Sequence, residues 1–277
     1  MTQHYQGDIA VIGAGNMASA IVRGCLSADN PPVPSDRWIV VARSDARAHQ
    51  WSGTGVRLRP SVASLADDWD GVSTVILAVK PQMLDEVARD ADGLDFTDRV
   101  LISILAGSTI ERITGSFTNL QRVIRAMPNT PLRVGKGITA LCPSDDATDD
   151  ERALALSIFG SAGETIDLPE DLFDAFTALA GSGPAYLFYL AEAMLRAAAD
   201  MGFDDEQSRA IVARTLLGGA TLLEQSGDDP AHLRANVTSK AGTTHAATAH
   251  MDEQGVLDAV RAAVVKARDR GRELAAE

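Results

Sequence analysis

Short, β-branched apolar runs alternate with helical patterns from residue 8 to about residue 167, and this alternation constrains the fold most strongly. We interpret the runs as strands, at residues 9–12, 38–42, 74–79, 100–104 and 122–126. Several are apolar on both faces, which is typical of strands covered by helices on both sides. The alternation therefore predicts a doubly wound α/β sheet. Residues 134–141 and 164–168 are predicted to add edge strands.

The strand signal stops near residue 168, and the rest of the chain is rich in Ala and Leu in helical patterns. We predict helices at residues 172–180, 184–201, 204–225, 230–237 and 255–275. The change from α/β to all-α predicts a domain boundary between residues 167 and 168. A helical domain this short and apolar is expected to bury its faces against a second subunit, so we predict a homo-oligomer.

The composition narrows the class of partner. The 277 residues carry a formal net charge of −13, which argues against nucleic acid or an anionic membrane surface as a partner. No charged-then-apolar leader precedes the first predicted strand, and apolar runs such as residues 75–79 are too short to span a bilayer. Cys25 and Cys142 are far apart, with no His or Cys at metal-ligand spacing. We therefore expect a cytoplasmic protein without a structural disulfide or a metal.

A glycine-rich turn follows the first predicted strand and opens a helix that we expect to run to about residue 28. It consists of Gly13, Ala14, Gly15, Asn16 and Met17, followed by Ala18. Backbone amides at such a strand–turn–helix junction bind the pyrophosphate of a dinucleotide, so we predict that the first five residues bind a cofactor. Ala18 replaces the third glycine of the pattern, which demands only close helix–strand packing. The alternative is a glycine-rich turn without a ligand.

The end of the second predicted strand indicates the kind of dinucleotide. Arg43 and Ser44 occupy the place where an NAD enzyme carries an acidic residue for the ribose hydroxyls. A cation and a hydroxyl suit a 2′-phosphate instead. The alternative, a solvated arginine at a helix start, is mildly disfavoured by the helix dipole. We therefore predict NADP(H) as the cofactor, with NAD(H) as the second choice.

Two further loops follow buried predicted strands and so lie at the carboxyl end of the sheet, where open α/β sheets bind ligands. The first contains Ala78, Val79 and Lys80, and the second contains Asn129. We predict that Lys80 lies beside the cofactor ribose or pyrophosphate and that Asn129 forms a hydrogen bond near the nicotinamide. Each loop taken alone is equally well interpreted as a turn stiffened by proline.

Residues 237–244 interrupt the helical pattern of the second half with hydroxyls and a glycine. Ser and Thr side chains compete with the helical backbone for hydrogen bonds and favour caps and turns. One interpretation is a capped loop between two helices. The other is a carboxylate-binding loop, because free amides at a helix start and adjacent hydroxyls converge on one anion.

Five segments together resemble the Δ1-pyrroline-5-carboxylate reductase family. They are residues 13–18, 78–82, 127–131, 181–186 and 237–244, in the family's order and spread over almost the whole chain. The resemblance implies a Rossmann-like NADP-binding domain, residues 1–167. It also implies an all-α C-terminal domain for dimerisation and substrate binding, residues 168–277, exchanged between the subunits of a homodimer or a ring of dimers. The implied reaction is NADPH-dependent reduction of the C=N bond of pyrroline-5-carboxylate to L-proline.

The resemblance also implies roles for particular residues of the 237–244 loop. Ser239, Gly242, Thr243 and Thr244 are expected to hold the substrate carboxylate through backbone amides and hydroxyls. Thr244 is the candidate catalytic residue. Its hydroxyl either relays a proton to the ring nitrogen or only orients a substrate that binds already protonated, because a neutral threonine is a poor acid.

The chain departs from the family pattern beside these residues. Lys240 and Ala241 stand where the family commonly has Pro-Gly, and His245 stands where it usually has no histidine. Ala241 costs energy if the position requires a positive φ. Lys240 either aids carboxylate binding or is solvated, and we interpret His245 as a helix-face residue rather than a proton donor.

Two other classes of function remain open. A related NADP-dependent imine reductase or β-hydroxyacid-type dehydrogenase would share this architecture. The dehydrogenase needs a lysine as general acid near the nicotinamide, and Lys240 is the sole local candidate. A non-catalytic NADP-binding regulatory protein would need no intact substrate loop.

Overall fold

The computed structural model describes residues 7–276, and the side chains of residues 7–274. The chain forms two compact units. The first unit runs to Gly181 and takes the chain up again from Arg268, and the second unit is Ser182–Ala267. The two are described separately below.

In the described chain the first unit is built on an eight-stranded sheet. Its strands are β1 (Asp8–Ile12), β2 (Trp38–Val41), β3 (Arg57–Arg59), β4 (Val72–Leu77), β5 (Val100–Ser103), β6 (Arg122–Pro128), β7 (Gly137–Pro143) and β8 (Gly163–Asp167). They lie in the order β3-β2-β1-β4-β5-β6-β7-β8, and only the β6–β7 pair is antiparallel. The first six positions have the Rossmann strand order. The predicted Rossmann-like, doubly wound α/β fold is confirmed.

The strands are apolar on both sides because an apolar core lies on each face of the sheet. In β1, Ile9 and Val11 pack into one core, whereas Ala10 and Ile12 pack into the other. Successive side chains of a strand point to opposite faces. A strand buried on both faces must therefore be apolar throughout, which is the pattern that predicted these strands.

Helices cover both faces of the sheet. Among the described residues of the first unit they are α1 (Asn16–Leu26), α2 (Asp45–His49), α3 (Leu84–Asp90), α4 (Ile110–Ser116), α5 (Asp149–Gly160) and α6 (Phe173–Phe176). Helix α5 begins with a capping box at Thr148. Glu151 N donates to Thr148 Oγ1 at 3.2 Å, and Thr148 N donates to Glu151 Oε2 at 2.9 Å. This reciprocal pair satisfies two backbone amides that an uncapped helix leaves free.

The second unit is helical. It contains α7 (Gly183–Asp200), α8 (Asp205–Ser226), α9 (Pro230–Asn236) and α10 (Thr243–Glu253), and α11 (Val256–Ala276) begins in it and ends in the first unit. Aspartates cap two of these helices. Asp204 Oδ1 accepts from Gln207 N at 2.8 Å ahead of α8, and Asp229 Oδ1 accepts from Ala231 N at 2.8 Å ahead of α9.

The strand predicted at residues 134–141 is present as β7 (Gly137–Pro143), but its predicted start and its predicted place at the edge of the sheet were wrong. Thr130–Val134 is a 3-10 helix that ends at Gly135, whose φ of 69° lies in the left-handed region. The strand begins only at Gly137 and lies between β6 and β8. A glycine at positive φ ends a helix without the strain that a Cβ would add, so the apolar residues before it belong to the helix.

Two elements escaped the sequence prediction. β3 (Arg57–Arg59) has two charged residues in three, so it lacks an apolar pattern, and its place is set by pairing with β2. α10 was not among the predicted helices because its Thr, His and Asp residues dilute any apolar stripe. The predicted helix at 172–180 is divided into the short α6 and a π-helix, Thr177–Gly181.

Side-chain contacts hold residues 170–181 to the sheet of the first unit. Arg125 Nη1 of β6 donates to Glu170 Oε1 at 2.8 Å, and its guanidinium lies 4.7 Å from the centre of the Phe173 ring. Asn129 Nδ2 donates to Ala180 O at 3.2 Å. These contacts explain why the compact unit extends to Gly181. The functional division expected at residues 167 and 168 stays a prediction.

Candidate active site

A cleft of about 820 Å³ lies at the carboxyl ends of the parallel strands. Its wall includes Ile12 at the end of β1, Val41 at the end of β2 and Ala78 just after β4. β1 and β4 are adjacent at the point where the strand order reverses, which is where open α/β sheets bind ligands. Of the predicted cofactor residues, the wall contains Gly13, Ala14, Gly15, Asn16, Met17, Arg43, Ser44, Ala78, Val79 and Lys80.

The glycine-rich turn has the geometry that a dinucleotide requires. Gly13 has φ +114°, and a Cβ there would stand 2.6 Å from Ala78 O. A Cβ on Gly15 would meet no atom within 4 Å, so this residue faces open space. Gly15 is the N-cap of α1, and no side chain of the described residues caps that helix. Free amides and an unobstructed approach at a helix start fit a pyrophosphate.

Among the described residues, the cleft wall contains three cationic side chains, two after β2 and one after β4. Arg43 follows β2, and Arg47 and Lys80 also lie in the wall. Arg43 Nη1 contacts Glu86 Oε1 of α3 at 2.5 Å, and Arg43 Nη2 lies 3.5 Å from Met83 Sδ. Because no acidic residue stands at the end of β2 itself, the donor set fits a 2′-phosphate. The cleft therefore fits NADP(H).

Several residues of this wall escaped the sequence prediction. Arg47 lies on α2, and Met83, Val87 and Asp90 lie on one side of the turn and helix that follow Lys80. Their spacing of four and three residues is the signal of a common helix face. This spacing, in a helix that starts directly after the loop containing Lys80, could have indicated that Met83, Val87 and Asp90 lie on the side of the helix that faces the cleft.

Asn129 is buried just outside this wall. Its Nδ2 donates to Ala180 O at 3.2 Å, and its Oδ1 accepts from Ile138 N at 3.0 Å. The neighbouring Pro128 and Thr130 do line the cleft. Two polar positions of the amide are thus engaged within the protein, and contact of Asn129 with the cofactor stays a prediction.

In the second unit, the 237–244 loop forms a compact turn ahead of α10. Gly242 N donates to Ser239 O at 3.0 Å, and a Cβ on Gly242 would lie 2.3 Å from Ser239 Oγ. Gly242 is the N-cap of α10, and no side chain of the described residues caps this helix. The turn brings Ser239 against Gly242, the residue that precedes Thr243 and Thr244 at the start of α10. The predicted loop therefore ends as a helix start.

Of the residues that depart from the family pattern, Lys240 and Ala241 lie in the same turn, and His245 is the third residue of α10. Ala241 has φ 58°, so it is a non-glycine residue in the left-handed region. A Cβ in that region costs energy. The position of Ala241 thus has the positive φ at which alanine is less favourable than glycine. Lys240 and His245 are exposed. In the described part of the chain neither side chain has a hydrogen bond or an ion pair.

Other chemistry is limited in the part of the chain that the structure describes. No group of three or more His, Cys, Asp or Glu side chains is arranged to hold a metal ion. No helix of residues 7–276 combines the length and apolarity needed to cross a bilayer. Burial raises the pKa of the Cys25 thiol to about 11 and also raises the pKa of Cys142. Neither thiol is therefore activated as a nucleophile.

A Rossmann sheet with a glycine-rich turn and a cationic rim beside β2 defines the class of protein: an NADP-dependent oxidoreductase. The model for pyrroline-5-carboxylate reductase dimerisation matches residues 170–274, and the model for NADP oxidoreductase, coenzyme F420-dependent, matches residues 8–107. The chain is 34% identical to the pyrroline-5-carboxylate reductase of Haemophilus influenzae, covering 96% of this chain and 97% of that one. The protein therefore belongs to the pyrroline-5-carboxylate reductase family.

Further relatives agree. The chain is 35% identical to the pyrroline-5-carboxylate reductase of Synechocystis, covering 95% of this chain and 98% of the relative. The solved pyrroline-5-carboxylate reductase of Coxiella burnetii superposes with a TM-score of 0.85 at 32% identity, covering 98% and 99% of the two chains. The Plasmodium falciparum pyrroline carboxylate reductase with NADP bound has the same TM-score of 0.85 at 23% identity, covering 97% and 98%, and this similarity shows the shared fold.

Proposed function

We infer that this protein is a pyrroline-5-carboxylate reductase, which uses NADPH to reduce the C=N bond of the ring and so makes L-proline. The observation that supports this most is the presence, in one chain of this family, of two helix starts that no side chain of the described residues caps and whose amides suit an anion. One is the cleft at α1, built for a dinucleotide. The other is the uncapped start of α10, suited to a carboxylate.

On the cofactor side, the backbone from Gly13 to Met17 holds the pyrophosphate, and Arg43 with Ser44 holds the 2′-phosphate. Lys80 adds a cation beside the ribose or pyrophosphate, and Asn129 hydrogen-bonds near the nicotinamide. Bound NADPH supplies the hydride. The tasks of these residues are to orient the cofactor and to offset its negative charge in a chain of net charge −13.

On the substrate side, we propose that Ser239, Gly242, Thr243 and Thr244 hold the carboxylate. The amides at the start of α10 have no intrahelical partner, and the helix dipole adds partial positive charge there. The turn packs Ser239 Oγ against Gly242, the N-cap residue of α10, so a hydroxyl lies next to the start of that helix. Fixing the carboxylate sets which face of the ring is presented for reduction.

The Thr244 hydroxyl is the proposed group at the ring nitrogen. Reduction leaves the nitrogen with one more proton, and a threonine hydroxyl either relays that proton or orients a ring that arrives protonated. The Thr244 side chain is half-buried at the second position of α10. Such a position restricts the hydroxyl to few orientations, as a positioning role requires.

Self-association follows from the family, since the region 170–274 matches a dimerisation domain. We propose a homodimer or a ring of dimers in which the helical unit supplies the interface. Large apolar side chains of the helical unit are exposed within the single chain, among them Phe188, Tyr189, Leu217 and Leu257. A cytoplasmic location is proposed on the two free cysteines, which fit a reducing compartment.

The activity is tested by following NADPH absorbance and proline formation with pyrroline-5-carboxylate as substrate. The matched comparison is 1-pyrroline, the same ring without the carboxylate. We expect kcat/KM to be at least about 100-fold lower for 1-pyrroline, because the amides of α10 then have no anion to bind. Absence of proline would overturn the proposed reaction. Equal rates with both rings would instead favour a general imine reductase and remove the carboxylate role.

Thr244→Ala tests the proposed catalytic residue. We expect kcat to fall by about 10-fold or more while the helix stays intact, and we expect Thr244→Ser to restore most of the rate. Thr248→Ala is the matched control one turn along α10, where the hydroxyl donates to Thr244 O at 2.9 Å within the helix. A normal kcat and KM in Thr244→Ala would exclude both proposed roles of its hydroxyl.

A further inference from the structure

The ion pair between Arg43 and Glu86 joins opposite charges at the ribose end of the cofactor cleft. Arg43 Nη1 and Glu86 Oε1 are 2.5 Å apart, and their side chains are 52% and 47% exposed. Glu86 lies on α3 between Met83 and Val87, which both line the cleft, and Glu86 itself stands behind that wall and contacts it through Arg43. An ion pair that is half exposed on both sides is weakly held. A ligand can therefore replace either partner.

The two nicotinamide cofactors differ only at the 2′ position of the adenosine ribose, which the cofactor site proposed above places beside Arg43. NADP carries a phosphate on the adenosine ribose, which a guanidinium binds well, whereas NAD carries a hydroxyl, which an acidic side chain accepts. In the usual arrangement the acidic residue follows β2, and here Arg43 and Ser44 follow that strand. Glu86 brings a carboxylate from α3 to the Arg43 guanidinium. A guanidinium suited to the phosphate and a carboxylate suited to the hydroxyl are thus in contact with each other.

We propose that Arg43 and Glu86 form a selector for two cofactors, in which Arg43 binds the 2′-phosphate of NADPH and Glu86 accepts the 2′-hydroxyl of NADH. Each ligand displaces one half of the pair. Glu86 opposes the phosphate by its charge and so limits the preference for NADPH. This inference rests on the cofactor site proposed above, and it makes Glu86 a specificity-determining residue of that site.

The charges around Glu86 agree with this role. Arg47 and Lys80 also line the cleft and add to the attraction for a phosphate, whereas Asp90 lies on the same helix as Glu86. Asp85 precedes Glu86 on α3 and is exposed; like Glu86 it is not part of the cleft wall, but the ion pair of Arg43 is with Glu86. Asp85→Asn therefore removes one negative charge from the same helix without touching the pair, and it serves as the matched control.

The test is the dissociation constants of NADP⁺ and NAD⁺, measured by titration calorimetry on the full-length protein. For Glu86→Gln we expect NAD⁺ binding to weaken by about 10-fold, because a charged acceptor is lost. We expect NADP⁺ binding to tighten by about 3-fold, because a like charge is removed. For Arg43→Gln we expect the preference to move the other way, with NADP⁺ binding weaker by about 10- to 100-fold.

The outcomes separate the selector from simpler roles. Equal weakening of both nucleotides by Glu86→Gln would make Glu86 only a support for Arg43 and would overturn the proposal. So would unchanged binding of both, or the same pattern in Asp85→Asn, which would show a general charge effect. Melting temperatures check that each variant is folded. If wild type binds both nucleotides but makes no proline, the proposed reaction fails while the selector is still tested.

Discussion

Gly13 and Gly15 stand two positions apart in the same turn, yet a side chain has different effects at each. The first has a positive φ and touches the backbone after β4, whereas the second faces open space at the start of α1. The first glycine is thus required by the fold of the turn. The second is required only by what approaches the turn from outside.

Alanine at these two positions should separate folding from cofactor binding. We expect Gly13→Ala to lower the free energy of unfolding by about 2–4 kcal/mol, because its Cβ would lie 2.6 Å from Ala78 O. Gly15→Ala should leave stability within about 1 kcal/mol and raise the KM for NADPH by about 10-fold or more. Denaturant unfolding and steady-state kinetics measure the two effects. A normal KM for NADPH in Gly15→Ala would contradict the pyrophosphate site.

Ala241 has a left-handed backbone without the glycine that usually adopts it, with φ 58°. We expect Ala241→Val to lower the free energy of unfolding by about 2 kcal/mol, because a β-branched residue fits this region poorly. Substrate KM should rise as well, since the turn places Ser239 beside α10. Ala246→Val, exposed within α10, should cost only about 0.5 kcal/mol. Equal losses in both variants would show that the conformation of Ala241 carries no special strain.

At the scale of elements, one carboxylate joins three parts of the first unit. Glu170 Oε1 accepts from Arg125 Nη1 of β6 at 2.8 Å and from Ile110 N, at the start of α4, at 2.8 Å. The Arg125 side chain is only 6% exposed. The contact thus links the sheet, α4 and the segment that leads to α6.

Loss of this carboxylate should destabilise the first unit. We expect Glu170→Gln to lower the free energy of unfolding by about 2 kcal/mol, because the buried Arg125 charge loses its partner, while the partial exposure of Glu170 moderates the loss. Asp171→Asn, at the exposed neighbouring position, should stay within about 0.5 kcal/mol. Urea unfolding measures both. A loss no larger for Glu170→Gln than for Asp171→Asn would exclude Glu170 as a link between these elements.

The elements differ in how far they could be predicted from the sequence. Strands that are buried on both faces can be predicted from their apolar composition. Glycine, proline and acidic cap residues indicate where helices start. β3 and α10 carry no such pattern, because their places depend on partners that are distant in sequence or on the turn before them. Residues 134–136 were wrongly included in the predicted strand, because the end of a 3-10 helix and the start of a strand look alike over a few residues.

The candidate site divides in the same way. The turn residues from Gly13 to Met17, together with Arg43 and Lys80, were predictable because each follows a strand end, and strand ends converge in an open sheet. Glu86 could not be predicted, because its proposed role depends on the contact of its side chain, from α3, with Arg43. The hydrogen bond from Asn129 Nδ2 to Ala180 O could not be predicted from the sequence either. Contacts between side chains of different elements require the tertiary structure.

At the scale of the whole molecule, the exposed apolar side chains of the helical unit should control assembly. Phe188 is 67% exposed and Tyr189 79% exposed in the single chain, an exposure typical of an association surface. We expect Phe188→Glu to shift the protein towards monomer in size-exclusion chromatography with light scattering. Val134→Glu, at a position 75% exposed in the first unit, is the matched control and should keep the native mass. An unchanged mass for Phe188→Glu would exclude this part of α7 from the interface.

α11 has a consequence for how the protein is made. It begins in the second unit, and its last part, from Arg268, belongs to the first. Gly271 lies close to Asp174, since a Cβ added to it would be 3.5 Å from Asp174 Oδ1. The nucleotide-binding unit is therefore discontinuous along the chain. During synthesis on the ribosome its sheet emerges before the segment that begins at Arg268, so the unit is completed only after that later segment has emerged.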